Sequence, residues 1–248
     1  MPAVAHYVLF GAGLAVIAGL TTGLATWAGA RLGWLPVRAL FRAALQLTVI
    51  ALLLRGILSW PVAVIGFVAL MLTTASWTAA SRLKELWHGR RIAVAGVLAG
   101  ASVSVTAVFA LGLVTPGVRY LIAVGGILIG NSMTAATLAG RNFLRGARAQ
   151  REVIEGMIAL GASASQAHSD VAREALREAL LPTLDQTRAT GLVTLPGAFV
   201  GALFGGLSPA AAAEFQLVVL AGIALTMVIT GIVVTRLAAR TPYLVPPE

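Results

Sequence analysis

The chain has no cysteine and only one lysine, Lys84, in 248 residues. Without thiols there is no disulfide framework and no thiolate metal site, and cysteine usage says nothing of the redox compartment. A phosphate-binding loop of the G-x-x-x-x-G-K-[ST] type needs a glycine before its lysine and a hydroxyl after it, and Leu83-Lys84-Glu85 supplies neither. A P-loop ATPase on this polypeptide is therefore excluded, and any ATP that powers it must be bound elsewhere. Acidic residues are also few, nine in all, and the three histidines, His6, His88 and His168, are scattered with no H-E-x-x-H pairing. Lone histidines of this kind are expected to be solvated. No catalytic, cofactor-binding or metal-ligating constellation is expected on the chain. The near absence of acids from the apolar runs also argues against an ion-driven secondary transporter, which needs an intramembrane proton relay.

What is present is apolar surface. Apolar residues make up 58% of the chain and charged residues 11%, with a mean hydropathy of +0.91, well outside the range of soluble domains. The uncharged runs are 1–30, 43–54, 56–81, 92–117, 120–140, 189–213 and 215–235. A bilayer core about 30 Å thick needs roughly 20 apolar residues at 1.5 Å each. Six runs reach that length, and the second reaches it if its helix starts at Pro36, a good first-turn residue, and includes Arg42. The fold class expected is an all-α integral membrane protein of about seven transmembrane helices, a single permease domain over 1–248. Ala28-Gly29-Ala30 resembles a signal-peptidase site, but residues 1–30 hold no Lys or Arg, so the first run is expected to be a retained helix.

Basic residues orient the spans. With the N-terminus outside and the C-terminus cytoplasmic, every Lys and Arg except Arg55 and Arg119 falls on the cytoplasmic side. The formal charge of +9 then has a topological cause. The charges sit on short loops rather than in a continuous stripe, which argues against nucleic acid as a partner and leaves membrane lipid as the expected environment.

The long connection 141–188 changes character. Phe143, Leu144, Ala147, Ile154, Met157, Ile158 and Leu160 make an apolar stripe at helical spacing, and Gly161 is expected to end that helix. Ser163 and Gln166 form an S-x-x-Q capping box that opens a second helix. Asp170/Arg173 and Glu174/Arg177 are favourable i,i+3 pairs on it, and Pro182 is expected to break or bend it. An amphipathic helix lying on the membrane surface would read the same way.

The segment Glu155-Gly-Met-Ile-Ala-Leu-Gly161-Ala162 followed by Leu181-Pro182 resembles the EAA loop of ABC-transporter permeases, although the distance from Gly161 to Pro182 is about two helical turns longer than in importers. Phe41-Arg42-Ala-Ala-Leu-Gln46-Leu47, Ala75-Ser-Trp77-Thr-Ala-Ala-Ser-Arg82, Gly130-Asn131-Ser132-Met133, Pro182-Thr183-Leu184-Asp185 and Gly191-Leu-Val-Thr-Leu195-Pro196-Gly197 occur in that order. Together they resemble the Fet-type iron-export permease family, whose plant relatives are linked to aluminium tolerance. The resemblance implies a permease subunit in a bacterial plasma membrane, a homodimer paired with a separate ABC ATPase subunit that binds the ATP, and a metal or other small solute as cargo. It also implies that Arg151, Glu155, Gly161, Ala162 and Ser163 form the ATPase-coupling loop. One departure bears on substrate. Where the family pattern reads Leu-Pro-Gly-Met-Met, this chain has Ala198-Phe199 after Gly197, so no thioether is offered to a soft metal there.

Polar residues inside the runs are the candidates for a transport path or gate. Arg42 and Gln46, four apart, share a helix face; they either line a polar path or let Arg42 snorkel to the headgroups. Asn131 and Ser132 either contact substrate or hydrogen-bond a neighbouring helix. Asp185 lies near a span mouth with Arg188 one turn away, where a helix-end pair is the plainer reading. Pro196-Gly197 interrupts a span, and Gly197, Gly201 and Gly205 make a smooth face suited to close packing or a hinge.

Overall fold

The computed structural model describes residues 3–30, 32–57 and 61–242; Arg31, counted above among the cytoplasmic basic residues, lies outside them. The chain is an all-helical, multi-pass membrane protein. It forms two compact units, residues 1–60 and 61–248. The first contains α1 (Ala3–Trp27) and α2 (Leu35–Ile57), packed on each other. Helix α2 includes Pro36 and Arg42, as its length required. Leu9, Phe10, Leu24, Leu45 and Leu52 stand exposed on this pair. An apolar patch of that extent marks a surface for contact with membrane or protein.

The second unit contains α3 (Pro61–Arg82), α4 (Gly89–Ala110), α5 (Val118–Ala149), α6 (Arg151–Ala159), α7 (Ala164–Ala167), α8 (Ser169–Ala189), α9 (Gly197–Phe204) and α10 (Pro209–Ala238). Helices α4, α5 and α10 pack on one another, with α3 against α4 and α5, and α8 against α5 and α10. Small residues set their close approach: Ala93, Val97 and Ala101 on α4, Ala135, Ala136 and Ala139 on α5, and Val234 and Ala238 on α10 are all buried. Lipid removes the hydrophobic drive between helices, so steric fit of small side chains takes its place.

Among the described residues six helices are long and apolar enough to cross a membrane: α1 to α5 and α10. The span expected over 189–213, interrupted at Pro196-Gly197, is instead broken on both sides of a short helix. That stretch holds the end of α8, a tight turn, the eight-residue α9 and a second turn before α10. Gly191 adopts φ +97°, which a side chain would strain, and its N–H donates to the Thr194 carbonyl at 2.9 Å. Pro196 stands in extended conformation as the N-cap of α9, and its ring has no N–H to continue a helix from α8. High hydropathy is indifferent to such breaks, which is why the run reads as one span.

The division of 141–188 is corrected as well. Helix α5 continues past Arg141 to Ala149, and the bend falls at Gln150. No Gly-Pro pair interrupts 141–149, and the apolar stripe simply carries on: Phe143 and Ala147, one turn apart, are buried. At 32 residues α5 is about 48 Å long, so roughly 18 Å of it projects beyond a 30 Å apolar core. Outside lipid the hydrophobic effect operates again, and burial of a side chain such as Ile154 stabilises by about 1.5–3 kcal/mol. Pro182 lies inside α8 without ending it. His168, expected in solvent, is buried; its ring stacks on Phe143 with centroids 5.8 Å apart, and its Nδ1 lies 2.8 Å from the Ala164 carbonyl.

Candidate functional site

Helix α8 and the segment after it run antiparallel along α10. Near one end Leu176 of α8 seats against Gly231 of α10. Further along, Thr187 and Thr190 share a cavity with Gln216, Val219, Leu220 and Ile223 of α10, and with Ile127 and Asn131 of α5. Beyond the break, the Phe199 N–H of α9 donates to Gln216 Oε1 at 3.1 Å. A discontinuous element, α8 with α9, thus lies beside α10, and the gap between its halves opens on a cavity of about 210 Å³.

The cavity is uncharged and mixed in character: Ile127, Val219, Leu220 and Ile223 give it apolar wall, and hydroxyl and amide groups are set into that wall. Thr183, Gln186 and Thr187 line it from the last turns of α8, Thr190 from the C-cap of that helix, Asn131 from α5 and Gln216 from α10. The Thr187 hydroxyl donates to the Thr183 carbonyl (2.8 Å) and that of Thr190 to the Gln186 carbonyl (3.0 Å), so both oxygens keep free lone pairs as acceptors. Asn131 Nδ2 donates to the Ile127 carbonyl at 2.8 Å, and its Oδ1 makes no hydrogen bond among the described residues. Gln216 is only 5% exposed, and its carbonyl satisfies an N–H at the first turn of α9 that the break orphans. The remaining first-turn N–H groups carry partial positive charge near Pro196 and Ala198, both of which line the cavity. Among the described residues no group of three or more His, Asp or Glu lies close enough to hold a metal ion.

The structure brings Asn131 and Pro196 together at this cavity and sets Gly197 at the first position of α9. Ser132 is fully buried, its hydroxyl donating to the Ile129 carbonyl at 2.7 Å, and is not part of the lining. Asp185 is exposed and pairs with Arg188 at 3.5 Å. Arg42 and Gln46 stand exposed on α2 of the other unit. Among the described residues of their own unit nothing lies within 4 Å of a Cβ built on Gly197 or Gly201, and Gly205 caps α9. Sequence reasoning missed Thr183, Gln186, Thr187, Thr190 and Gln216. The 183/187 and 186/190 spacings are those of one helix face, and Gln216 is an amide at the start of an otherwise apolar run; both signals were available.

The projecting loop has a distinct geometry. Helix α6 ends in a Schellman motif: the Gly161 N–H donates to the Ile158 carbonyl (2.9 Å) and the Ala162 N–H to that of Met157 (3.0 Å), with Gly161 at φ +94°. The Ser163/Gln166 capping box is present, the Gln166 carboxamide accepting from the Ser163 N–H at 2.9 Å. Arg151 pairs with Glu155 at 2.8 Å, Arg148 with Glu85 at 2.9 Å and Arg145 with Glu178 at 3.3 Å. Arg173 pairs with Asp170, and Arg177 with Glu174 at 3.8 Å. Leu160, at the bend, is 91% exposed.

Residues 8–243 match the uncharacterised protein family UPF0014. The chain is a member of that family. It is 37% identical over 184 residues to the UPF0014 membrane protein STAR2 of Oryza sativa subsp. japonica, covering 73% of this chain and 65% of that protein. It is 33% identical to Protein ALUMINUM SENSITIVE 3 of Arabidopsis thaliana over 72% of this chain and 66% of that protein, so it spans just under two thirds of these plant relatives. It is 27% identical over 204 residues to the Probable iron export permease protein FetB of Escherichia coli, covering 82% of this chain and 79% of that protein. No solved structure matches the chain.

Proposed function

We propose that the chain is the membrane-spanning permease subunit of an ABC transporter, working as a homodimer in the plasma membrane with a separate ATPase subunit that binds ATP, and that it exports iron or another metal ion or its complex. The observation that carries this reading is the uncharged cavity at the break between α8 and α9, where hydroxyl and amide groups are set into an apolar wall and for which membrane transport offers the plainest use. Irregular backbone at membrane depth is tolerated only where protein or a cavity satisfies it, and transporters place such breaks at substrate sites. Membership of a family that includes a relative named as an iron export permease supports the cargo. On this reading the segment from the end of α8 through α9 forms a seventh, interrupted crossing, the N-terminus is outside and the C-terminus cytoplasmic, and the α6–α7 bend is the coupling loop, with Arg151, Glu155, Gly161, Ala162 and Ser163 around it.

The lining narrows the cargo. Burying an uncompensated ion costs several kcal/mol, and no carboxylate, imidazole or thioether faces the cavity. Ala198 lines it at the position where the family pattern has methionine. Copper(I) is therefore disfavoured against hard, oxygen-liking ions that keep their own ligands or water. The same neutral lining favours, as a second reading, an ABC permease for another uncharged polar solute.

In cells lacking this permease, iron or another transition metal is expected to rise under overload, and the wild-type chain is expected to restore efflux. Gln216→Ala is expected to fail to restore it, while the Phe199 N–H left unpaired costs about 1–3 kcal/mol of stability. Metal content that stays unchanged across a panel of overloads would favour the other solute. Orientation has its own test, made simple by the absence of native cysteine: Arg145→Cys and Arg90→Cys are expected to resist a membrane-impermeant thiol reagent in intact cells, and a cysteine at Pro116 to react. Labelling of Arg145→Cys from outside reverses the orientation.

A further inference from the structure

A second cavity, of about 500 Å³, lies between α8 and the end of α10. Its inner wall is apolar, with Leu176 of α8 opposite Ile232 of α10. Its rim is polar and cationic: Ser169 and Arg173 on one side, Arg236 and Arg240 on the other. Arg173 is already neutralised by Asp170. Arg236 and Arg240, four apart and both exposed, have no ion-pair partner among the described residues, so the rim keeps two uncompensated positive charges. The Ser169 hydroxyl, at the first position of α8, makes no hydrogen bond among the described residues and is a free donor. Arg236 is the first charged residue after the apolar run 215–235 of α10, which sets the rim at headgroup depth.

We propose that this cavity binds the headgroup of an anionic phospholipid. Guanidinium groups pair with phosphate oxygens in bidentate, charge-assisted fashion. A free anion would be served by the arginines alone and gains nothing from the apolar wall. A glycerophospholipid uses both, its phosphate between Arg236, Arg240 and Ser169 and the start of its acyl chains along Leu176 and Ile232. Basic pockets between spans on the cytoplasmic side are known to take such headgroups. Because α8 also carries the hydroxyls of the cavity at the α8–α9 break two turns further on, a lipid seated here would brace the element that is interrupted. Only the leaflet rests on the orientation proposed above; the site itself does not.

The test reads lipid rather than transport, so its failure is distinct from failure of the permease reading. The full chain is purified in a neutral detergent, and retention of phosphatidylglycerol and of phosphatidylcholine with the same acyl chains is compared by native mass spectrometry. Wild type is expected to hold phosphatidylglycerol selectively. Arg236→Gln/Arg240→Gln is expected to bind it about 30-fold more weakly, at about 1 kcal/mol per arginine. Arg90→Gln/Arg91→Gln, which removes the same charge elsewhere, is expected to bind as wild type does. Equal loss in both double variants, equal retention of the two lipids, or displacement by millimolar inorganic phosphate would each overturn the proposal.

Discussion

Gly100→Leu is expected to abolish recovery of folded protein. Helices α4 and α10 meet at this residue: a Cβ built on Gly100 would lie 2.9 Å from the Thr226 carbonyl oxygen, a backbone atom, and 3.1 Å from Thr230 Cβ, and it would overlap the Thr230 hydroxyl. A leucine adds further carbons in a seam with nowhere to go, and overpacking of this kind costs typically 1–3 kcal/mol and more where backbone must move. Thr230 supplies a rescue that separates sterics from any other cause. Its hydroxyl is fully buried with no hydrogen-bond partner among the described residues, so Thr230→Ala alone is expected to change stability by less than about 1 kcal/mol. Gly100→Ala is expected to lower the melting temperature of the purified chain, and Gly100→Ala/Thr230→Ala to recover part of the loss, with the Thr226 carbonyl accounting for the rest. If Gly100→Leu yields monodisperse protein melting like wild type, α4 and α10 do not pack as described.

Residues such as Gly100 mark the limit of what could be read from the chain. Hydropathy and charge spacing located α1 to α5 and α10 because a bilayer imposes one length and one solvent on every span. The same measure joined 189–213 into a single helix, since Leu, Val, Ala and Gly score alike whether or not the backbone turns between them. Pro196-Gly197 marked one interruption, whereas the turns at Gly191 and Gly206 were outweighed by the apolar composition around them. Arg141 was read as the edge of a soluble loop because a charge usually marks the membrane surface; α5 ignores it, since 141–149 holds no proline, its one glycine, Gly146, seats against Val171 of α8, and Phe143 still has a buried surface to join. Asn131 and Pro196 were legible as polar or irregular features at membrane depth. Their meeting with Gln216 and the α8 threonines was not, because it depends on how α5, α8 and α10 sit side by side, and no spacing within one helix encodes that.

The coupling loop, in contrast, is local structure, and its test is the sharpest the proposed function allows. Leu160→Asp is expected to leave the fold intact and to reduce ATPase stimulation and transport about tenfold or more, as loss of an anchoring side chain does at a small interface. The expectation follows from two facts. Leu160 is 91% exposed, so stability should change by no more than about 0.5 kcal/mol. It also sits at the turn between α6 and α7, beside Gly161 with φ +94° and nothing within 4 Å of a built Cβ, so the bend presents a bare apolar tip held by backbone hydrogen bonds. Gly161→Glu and Gly161→Ala share the left-handed strain of about 1–2 kcal/mol. Only the glutamate adds charge and bulk against a partner, so the difference between these two variants isolates contact from strain. Glu155→Ala should act more weakly, since its pair with Arg151 at 2.8 Å is a surface i,i+4 bridge worth about 0.3–0.5 kcal/mol. Each variant would be co-purified with the ATPase at equal expression, and complex formation, stimulated hydrolysis and transport compared. A loop that merely lies on the lipid surface gives another pattern: Leu160→Asp would weaken its contact with vesicles while the ATPase bound and was stimulated as before. That result would leave the α8–α9 cavity as a transport site without a coupling element on α6 and α7.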